Sequence, residues 1–253
     1  MEVAGRITMV GFVDFVAQIE TQASLMRSAA LKAGPDAEVP TCPEWTVLKL
    51  VRHMAEVHTW AGQAVVTEPS SGRPEWPKAP RDWDEAISWW DKGLARLVER
   101  LREVPADRPA WTFHDEQVAG FWARRQAHET SIHRLDAELA AGAELPSLVF
   151  DSEFAADGID EMLTIMMPRQ LVLGRVVEAT GHVLVHAADA GQAWEVWLAP
   201  GEPLVVTGVL DSAVNADATL AGTADAVYRA LWGRPGHAIV SGDESLLAAL
   251  PRP

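Results

Sequence analysis

Over the first 140 positions, apolar residues recur at intervals of three and four, which is the period of an α-helix. Helices are predicted at 11–33, 46–66, 83–104 and about 118–141. Gly34-Pro35 ends the first of them, and Thr46 is a suitable N-cap for the second. The loop 67–81 holds four prolines, and another proline-marked loop separates the third and fourth helices. Amphipathic helices joined by short loops predict a four-helix bundle.

The pattern changes after about residue 147. A helix is predicted over 151–167 and is expected to end at Pro168, because proline disrupts a continuing helix. Short strands are then predicted at 182–187, 193–198, 203–209 and 216–220, with turns at Gly181, Gly191, Gly201 and Asp211-Ser212. A helix at 223–232, a strand at 237–240 and a helix at 243–250 complete the chain. The predicted class is α+β, with a helical domain at 1–147 and a smaller α/β domain at 148–253 containing a mainly antiparallel sheet.

Composition narrows the classes of function. The 253 residues carry 36 acidic and 21 basic side chains, so the formal net charge is −15 and binding to nucleic acid or anionic membrane is not expected. The one cysteine excludes an intrachain disulfide and a CxxC metal site. No signal peptide or spanning apolar segment is recognised. We therefore expect a cytoplasmic protein, either a monomer or a homodimer.

The predicted fourth helix holds the most specific local motif. Glu129 and His133 are four residues apart, so both project from one face and can bind one divalent ion. A local Glu–His hydrogen bond on a solvated face would need the same spacing. Asp136 could hold the other nitrogen of His133. Arg125 could brace Glu129, or it could form an ordinary surface ion pair with it.

The predicted second helix offers a third ligand. His53 lies at the edge of its apolar face, where it could point into the bundle or bond to a backbone carbonyl. His58 lies about 140° around the helix from His53 and is not expected to share a metal with it. His128 points elsewhere on its helix and is interpreted as a surface or packing residue. His53 with Glu129 and His133 would give three protein ligands, which leave open positions as catalytic sites do. This set suits Zn²⁺, but Fe²⁺, Ni²⁺ and Mn²⁺ remain possible.

Three runs of the chain carry a family resemblance. The run from Val39 to Ala61, VPTCPEWTVLKLVRHMAEVHTWA, resembles the P-x-W-x-V-x-x-L-x-x-H signature of mycothiol-dependent maleylpyruvate isomerase-like proteins, a branch of the DinB-like metal-binding bundles. The run 122–136 is similar to the second signature of that family, and 217–234 to its C-terminal domain. The resemblance implies a DinB-like four-helix bundle that binds a divalent metal, usually zinc, through His53, Glu129 and His133.

The resemblance also implies a chemistry. A low-molecular-weight thiol, mycothiol, would be ionised at the metal and add to an electrophilic small molecule. In the isomerase the thiol adds to the double bond of maleylpyruvate, the bond rotates, and the thiol leaves. Other members act as thiol S-transferases. An arginine of the second domain is associated with activity, and Arg234 is the best match, although it could instead cap the preceding helix.

Other functions remain open from the sequence. A metal-dependent hydrolase that activates water would need similar ligands. A non-catalytic protein that binds a small apolar ligand would need none of them. Cys42 could be a redox or metal-linked thiol, but a packing role in its proline-framed turn is favoured.

Overall fold

The computed structural model describes residues 11–146, 148–209 and 215–253. The described residues form two compact units, 11–145 and the part of the chain from 146 onward. The division after residue 147 stays a prediction. The expectation of no signal peptide rests on residues 1–15, of which 1–10 lie outside the described residues, as does the predicted turn at Asp211-Ser212.

The first unit is built from four long helices. These are α1 (Phe12–Ala33), α2 (Val47–Val66), α3 (Trp83–Glu103) and α4 (Ala119–Ala140). Each begins and ends within about two residues of its predicted bounds, which confirms the periodicity. The proline-rich loop between α2 and α3 adds one short 3-10 turn, Pro69–Ser71. Helix α1 packs mainly against α4, and α2 packs mainly against α3.

Local chemistry sets where these helices begin. The Thr46 side chain accepts a hydrogen bond from the Lys49 amide at 3.4 Å, and Asp82 accepts one from Glu85 at 3.0 Å, so both act as N-caps. Apolar residues at helical spacing, such as Leu50, then fill the buried face. Within the described part of the chain, no helix has both the length and the apolar content to cross a membrane.

The second unit contains a five-stranded sheet. Its strands are β1 (Gly181–Ala187), β2 (Gln192–Leu198), β3 (Val205–Val209), β4 (Ala218–Gly222) and β5 (Ile239–Gly242). They lie in the order β3-β2-β1-β4-β5. Only the pairing of β1 with β4 is parallel among these strands. The predicted α+β class with a mainly antiparallel sheet is confirmed.

Helices cover the buried face of that sheet. Helices α7 (Ala224–Leu231) and α8 (Glu244–Ala248) both pack against β1 and β4. In β2 burial alternates from Trp194 to Leu198, whereas four consecutive residues of β1, from His182 to Val185, are buried. The opposite face exposes some apolar side chains, including Trp197. Continuous burial fits β1 as the central strand of the sheet, and alternating burial fits β2 as a strand with one exposed face.

The expected helix end at Pro168 is wrong. Helix α5 (Ser152–Glu161) passes into a π-helical turn, Met162–Met166, and then into α6 (Met167–Val172), so the chain stays helical through the proline. Pro168 sits in the first turn of α6, where its missing N–H costs little. The wider π turn absorbs the disruption that proline would cause inside a regular α-helix. The helical segment therefore extends to Val172.

Candidate metal centre

Helices α2 and α4 bring the three predicted ligands together. His53 comes from the second turn of α2, and Glu129 and His133 lie one turn apart in the middle of α4. One ligand atom from each residue lies within 4.8 Å of the other two. The Nε2 atom of His53 is 2.9 Å from Glu129 Oε1, and His133 Nε2 is 3.5 Å from the same oxygen. The spacing within α4 and the packing of α2 against α4 thus place two nitrogens around one carboxylate.

Glu129 is the centre of this cluster. Burial would raise the pKa of its carboxyl, but hydrogen bonds from His133 and His53 and the charge of Arg125 hold the pKa well below its usual range. Its side chain is 15% exposed, so it faces solvent only narrowly. Glu129 is therefore an anion at neutral pH, which is the form that binds a cation.

Arg125 contacts the outer oxygen of Glu129. Its Nη2 atom lies 3.0 Å from Glu129 Oε2, as the i,i+4 spacing predicts. The Arg125 side chain is only 4% exposed, so the pair is buried and is not a surface ion pair. A buried charge pair restrains the carboxylate and keeps its other oxygen directed at the two histidines.

His133 is held from its far side by Asp136. The Nδ1 atom of His133 lies 2.8 Å from Asp136 Oδ2, which confirms the predicted hydrogen bond. Burial lowers the pKa of His133, but the hydrogen bonds to Asp136 and Glu129 outweigh burial and raise that pKa to about 9. Asp136 is fully buried. A histidine bonded to a carboxylate through its other nitrogen is the usual arrangement of a metal-binding imidazole.

Trp45 covers the two imidazoles. Its ring is stacked on His133 at a centroid distance of 5.8 Å and an interplanar angle of 19°. It also lies 5.0 Å from the ring of His53. The Lys49 ammonium sits 5.4 Å from the Trp45 centroid. The indole therefore restricts ring motion and shields part of the cluster from water.

His58 and His128 lie outside the cluster, as their positions on the helices predict. The Trp90 Nε1–H donates to His58 Nδ1 at 3.0 Å, and His58 Nε2 is 2.9 Å from Thr130 Oγ1. Burial lowers the pKa of His58 to about 3, so the ring is neutral. His128 is fully buried with its ring edge-on to Phe15. Both are packing residues.

Arg234 and Cys42 both have structural contacts. Arg234 Nη1 donates to the Trp232 carbonyl at 2.5 Å, at the end of α7, which matches the helix-capping alternative. The catalytic role of Arg234 stays a prediction. Cys42 is half-buried, packs against the helical core, and has its Sγ 3.9 Å from Asp136 Oδ2. These contacts agree with a packing role for Cys42.

Thr41 is a residue of this cluster that the pattern did not single out. Its hydroxyl donates to Asp136 Oδ1 at 2.5 Å, across 95 residues of sequence. A contact between residues so far apart in the sequence cannot be predicted from local spacing. The one available signal is the proline-framed turn just before the N-cap Thr46, which indicates a rigid segment at the start of α2.

A separate cleft opens between α1 and α3. It has a volume of about 670 Å³ and an apolar floor that includes Trp90, Leu94 and Val98. Ion pairs between Arg27 and Asp91 and between Arg102 and Glu20 bridge the two helices beside it. None of the three predicted metal ligands lines this cleft. The candidate site is therefore defined by its donor atoms and not by this cavity.

The donor set fits a small divalent cation. Two imidazole nitrogens and one carboxylate oxygen are the ligands that zinc and the later transition metals accept. Their mutual approach within 4.8 Å fits atoms that share one ion. Three protein ligands also leave positions open for a small molecule. The arrangement could therefore bind a metal and present it to a ligand.

Comparisons with known protein families cover most of the chain. Residues 16–138 match the family model described as the mycothiol maleylpyruvate isomerase N-terminal domain. Residues 153–249 match the family model described as the MDMPI C-terminal domain. A search of curated protein sequences found no match.

Solved structures share the fold. A crystal structure of a histidine-to-alanine variant of the mycothiol-dependent maleylpyruvate isomerase matches with a TM-score of 0.63 and 13% sequence identity. A second crystal structure of the mycothiol-dependent maleylpyruvate isomerase matches with a TM-score of 0.59 and 14% identity. Each match covers 92% of this chain and 93% of the other. At these identities the likeness establishes the fold.

Proposed function

The chain belongs to the mycothiol maleylpyruvate isomerase family, and from that membership we propose that it is a mycothiol-dependent metalloenzyme. Its reaction would be a maleylpyruvate-type isomerisation or a thiol S-transfer to an electrophilic small molecule. The observation that carries the proposal is the convergence of His53, Glu129 and His133 within 4.8 Å. These residues would hold a divalent metal, with zinc as the expected ion.

The metal would supply one piece of chemistry. When bound, it would favour the thiolate form of a coordinated thiol over the thiol at neutral pH. The chain's own residues prepare for that role. Glu129 offers a charged oxygen, and Asp136 accepts a hydrogen bond from His133 Nδ1, which leaves Nε2 directed toward the other ligands. Arg125 offsets the charge of Glu129 and restrains its position.

Two further residues would contribute to the proposed reaction. Trp45 stacks on His133 and contacts His53 at a tilt, so it limits the contact of both rings with water and strengthens electrostatic interactions there. Arg234 is proposed as the cation that binds an anionic substrate or its enolate. An acidic chain of net charge −15 needs such a local cation to bind an anion.

Metal analysis with a thiol-dependent assay tests the proposal. Full-length protein purified without chelator is expected to hold about one divalent ion per chain. A variant with His53, Glu129 and His133 all changed to alanine is expected to lose most of that metal. The variant His237→Ala is the matched control, because it removes an exposed histidine of the second unit. Metal retained by more than half in the triple variant would contradict the site.

Turnover separates the proposed enzyme from the alternatives. Wild-type protein is expected to convert an electrophilic substrate such as maleylpyruvate only when mycothiol is present. Ester or amide hydrolysis without any thiol would instead support a hydrolase. The absence of metal, together with a small apolar ligand co-purifying in mass spectra, would support a non-catalytic binding protein.

A further inference from the structure

Asp136, the carboxylate that holds His133, is itself held by a hydroxyl from a distant turn. Thr41 Oγ1 donates to Asp136 Oδ1 at 2.5 Å, while Asp136 Oδ2 lies 2.8 Å from His133 Nδ1. We propose that Thr41 is a positioning residue for the candidate metal centre, acting through Asp136 on the ring of His133. The metal-binding part of this inference rests on the proposed function.

The two oxygens of Asp136 have separate partners. A carboxylate rotates easily about its last side-chain bond, because that torsion has broad minima. A partner on one oxygen therefore decides where the other oxygen points. Asp136 is fully buried and Thr41 is half-buried, so a hydrogen bond between them is protected from competing water. The Thr41 hydroxyl thus fixes the direction in which Asp136 accepts from His133.

The backbone that carries Thr41 is itself well restrained. The turn is closed by hydrogen bonds from the Val39 amide to the Trp45 carbonyl at 3.0 Å and from the Cys42 amide to the Val39 carbonyl at 2.9 Å. The Trp45 amide donates to the Cys42 carbonyl at 2.8 Å. A proline on each side of the Thr41–Cys42 pair fixes two further backbone torsions. The hydroxyl is therefore presented from a fixed position.

Cys42 does not replace Thr41 in this role. Its Sγ lies 3.9 Å from Asp136 Oδ2, the oxygen that also faces His133. A thiol is a weaker hydrogen-bond donor than a hydroxyl. The Thr41 contact is shorter and uses the other oxygen of Asp136. We therefore expect removal of the Cys42 thiol to disturb His133 less than removal of the Thr41 hydroxyl does.

The first test uses metal-free protein, so its result does not depend on the proposed function. In the full chain, the Nδ1 proton of His133 is observed by NMR and is assigned by its loss in His133→Gln. We expect Thr41→Val to shift or broaden this resonance, and Thr41→Ser to retain it as in the wild type. Thr112→Val is the matched control, since it removes a buried hydroxyl that hydrogen-bonds to His114 and Glu116 within its own loop. An unchanged resonance in Thr41→Val would overturn the proposal.

The second test measures affinity for Zn²⁺ by competition with a chromophoric chelator. Loss of a partner that contacts a metal ligand typically weakens binding by about 10–100-fold. Thr41 contacts that partner and not the ligand, so for Thr41→Val we expect a weakening of about tenfold, the lower end of this range. Thr41→Ser and Thr112→Val should stay within about threefold of wild type. Thr41→Val binding within about twofold of wild type would also overturn the proposal. Should Thr41→Val fail to fold by circular dichroism, Thr41→Ala replaces it in both tests.

The two tests separate the two hypotheses. Wild-type protein that binds no Zn²⁺ would refute the proposed function, and the NMR result would still decide the role of Thr41. A general loss of packing around Thr41 would disturb both histidines. Positioning through Asp136 should instead change the His133 resonances while those of His53 stay near their wild-type values.

Discussion

The Nδ1 atom of His133 lies 2.8 Å from Oδ2 of Asp136, three residues further along α4. This contact decides which ring nitrogen of His133 faces Glu129, because the bonded Nδ1 leaves only Nε2 on that side. A carboxylate partner also makes an imidazole a stronger ligand. The ability of α4 to bind a metal should therefore depend on Asp136, which is not itself in the ligand set.

Replacing Asp136 with asparagine should weaken the site without removing a ligand. The neutral amide no longer stabilises the protonated ring, so the pKa of His133 should fall from about 9 toward its ordinary value. Affinity for Zn²⁺ should fall by about 10–100-fold. An NMR titration of the metal-free variant and a chelator competition measure the two effects. The control Asp91→Asn changes a half-exposed carboxylate paired with Arg27, and both properties should stay at wild-type values.

Metal binding should depend on pH through His133. The folded-state pKa of about 9 lies above the ordinary value of 6.5, so this ring is charged at neutral pH in the metal-free protein. A metal ligand must be neutral, so binding displaces this proton. Below pH 9, affinity should fall by about tenfold for each unit that the pH is lowered, because one proton competes with the metal. Calorimetry in buffers of different ionisation enthalpy counts the protons released.

The raised pKa of His133 also determines the direction in which stability changes with pH. A raised folded-state pKa stabilises the metal-free fold fully below pH 6.5, and this contribution is lost as the pH rises through 9. Urea unfolding across this range should show the decline in wild-type protein and a flatter profile in His133→Gln. Equal proton release on metal binding by wild type and His133→Gln would contradict the assignment to His133.

Periodicity predicted most of the secondary structure, because an amphipathic element carries apolar residues at regular intervals on its buried side. Helix α2 is an example, since its apolar stripe and the N-cap Thr46 both lie in the local sequence. Pro168 shows where local evidence was insufficient. A proline usually ends a helix, but the π turn at Met162–Met166 lets this helix continue. Whether a helix ends or continues at such a proline depends on tertiary packing, which a short stretch of sequence does not reveal.

The residues of the candidate site could also be predicted only in part. Glu129 and His133 could be paired from their spacing, because four residues make one turn of a helix. His53 was predicted as a ligand because it lies at the edge of an apolar helix face and because the family resemblance supports it. Thr41 could not be found, since its contact with Asp136 depends on how the bundle brings two distant segments together. Long-range hydrogen bonds leave no periodic signal in one sequence.

His58 should make the fold sensitive to acid. Its folded-state pKa of about 3 lies below the ordinary value of 6.5, because burial disfavours the charged ring. The unfolded chain therefore takes up a proton first, and stability should fall as the pH drops from 6.5 through 3. The variant His58→Ala should flatten this decline, as measured by urea unfolding at several pH values.

The same variant should cost stability at neutral pH. Removing the His58 ring takes the acceptor from the Trp90 indole and leaves a cavity in the core. The free energy of unfolding should fall by about 2–4 kcal/mol, from the lost packing and the unsatisfied buried donor. The control His237→Ala removes an exposed ring and should leave both the stability and its pH profile unchanged. A pH profile that survives in His58→Ala would assign the acid sensitivity to another group.

Close contact between α2 and α3 rests on two glycines that differ in the space beside them. A Cβ atom added to Gly93 would lie 2.5 Å from Thr59 Oγ1, which is too close for any side chain. A Cβ added to Gly62 would meet Leu97 at 3.5 Å, an ordinary contact distance. Alanine is a better helix former than glycine by about 1 kcal/mol. We therefore expect substitution by alanine to have opposite effects on stability at the two positions.

The variant Gly93→Ala should lower the free energy of unfolding by about 1–3 kcal/mol, because overpacking outweighs the gain in helix propensity. Gly62→Ala should instead raise it by up to about 1 kcal/mol. The Thr59 hydroxyl is buried without a hydrogen-bond partner, so Thr59→Ala removes the clash without losing a bond among the described residues. The double variant Gly93→Ala, Thr59→Ala should therefore recover most of the lost stability. Urea unfolding of the wild type, Gly93→Ala, Thr59→Ala and the double variant gives the coupling energy between the two positions. Strictly additive effects would contradict the contact between them.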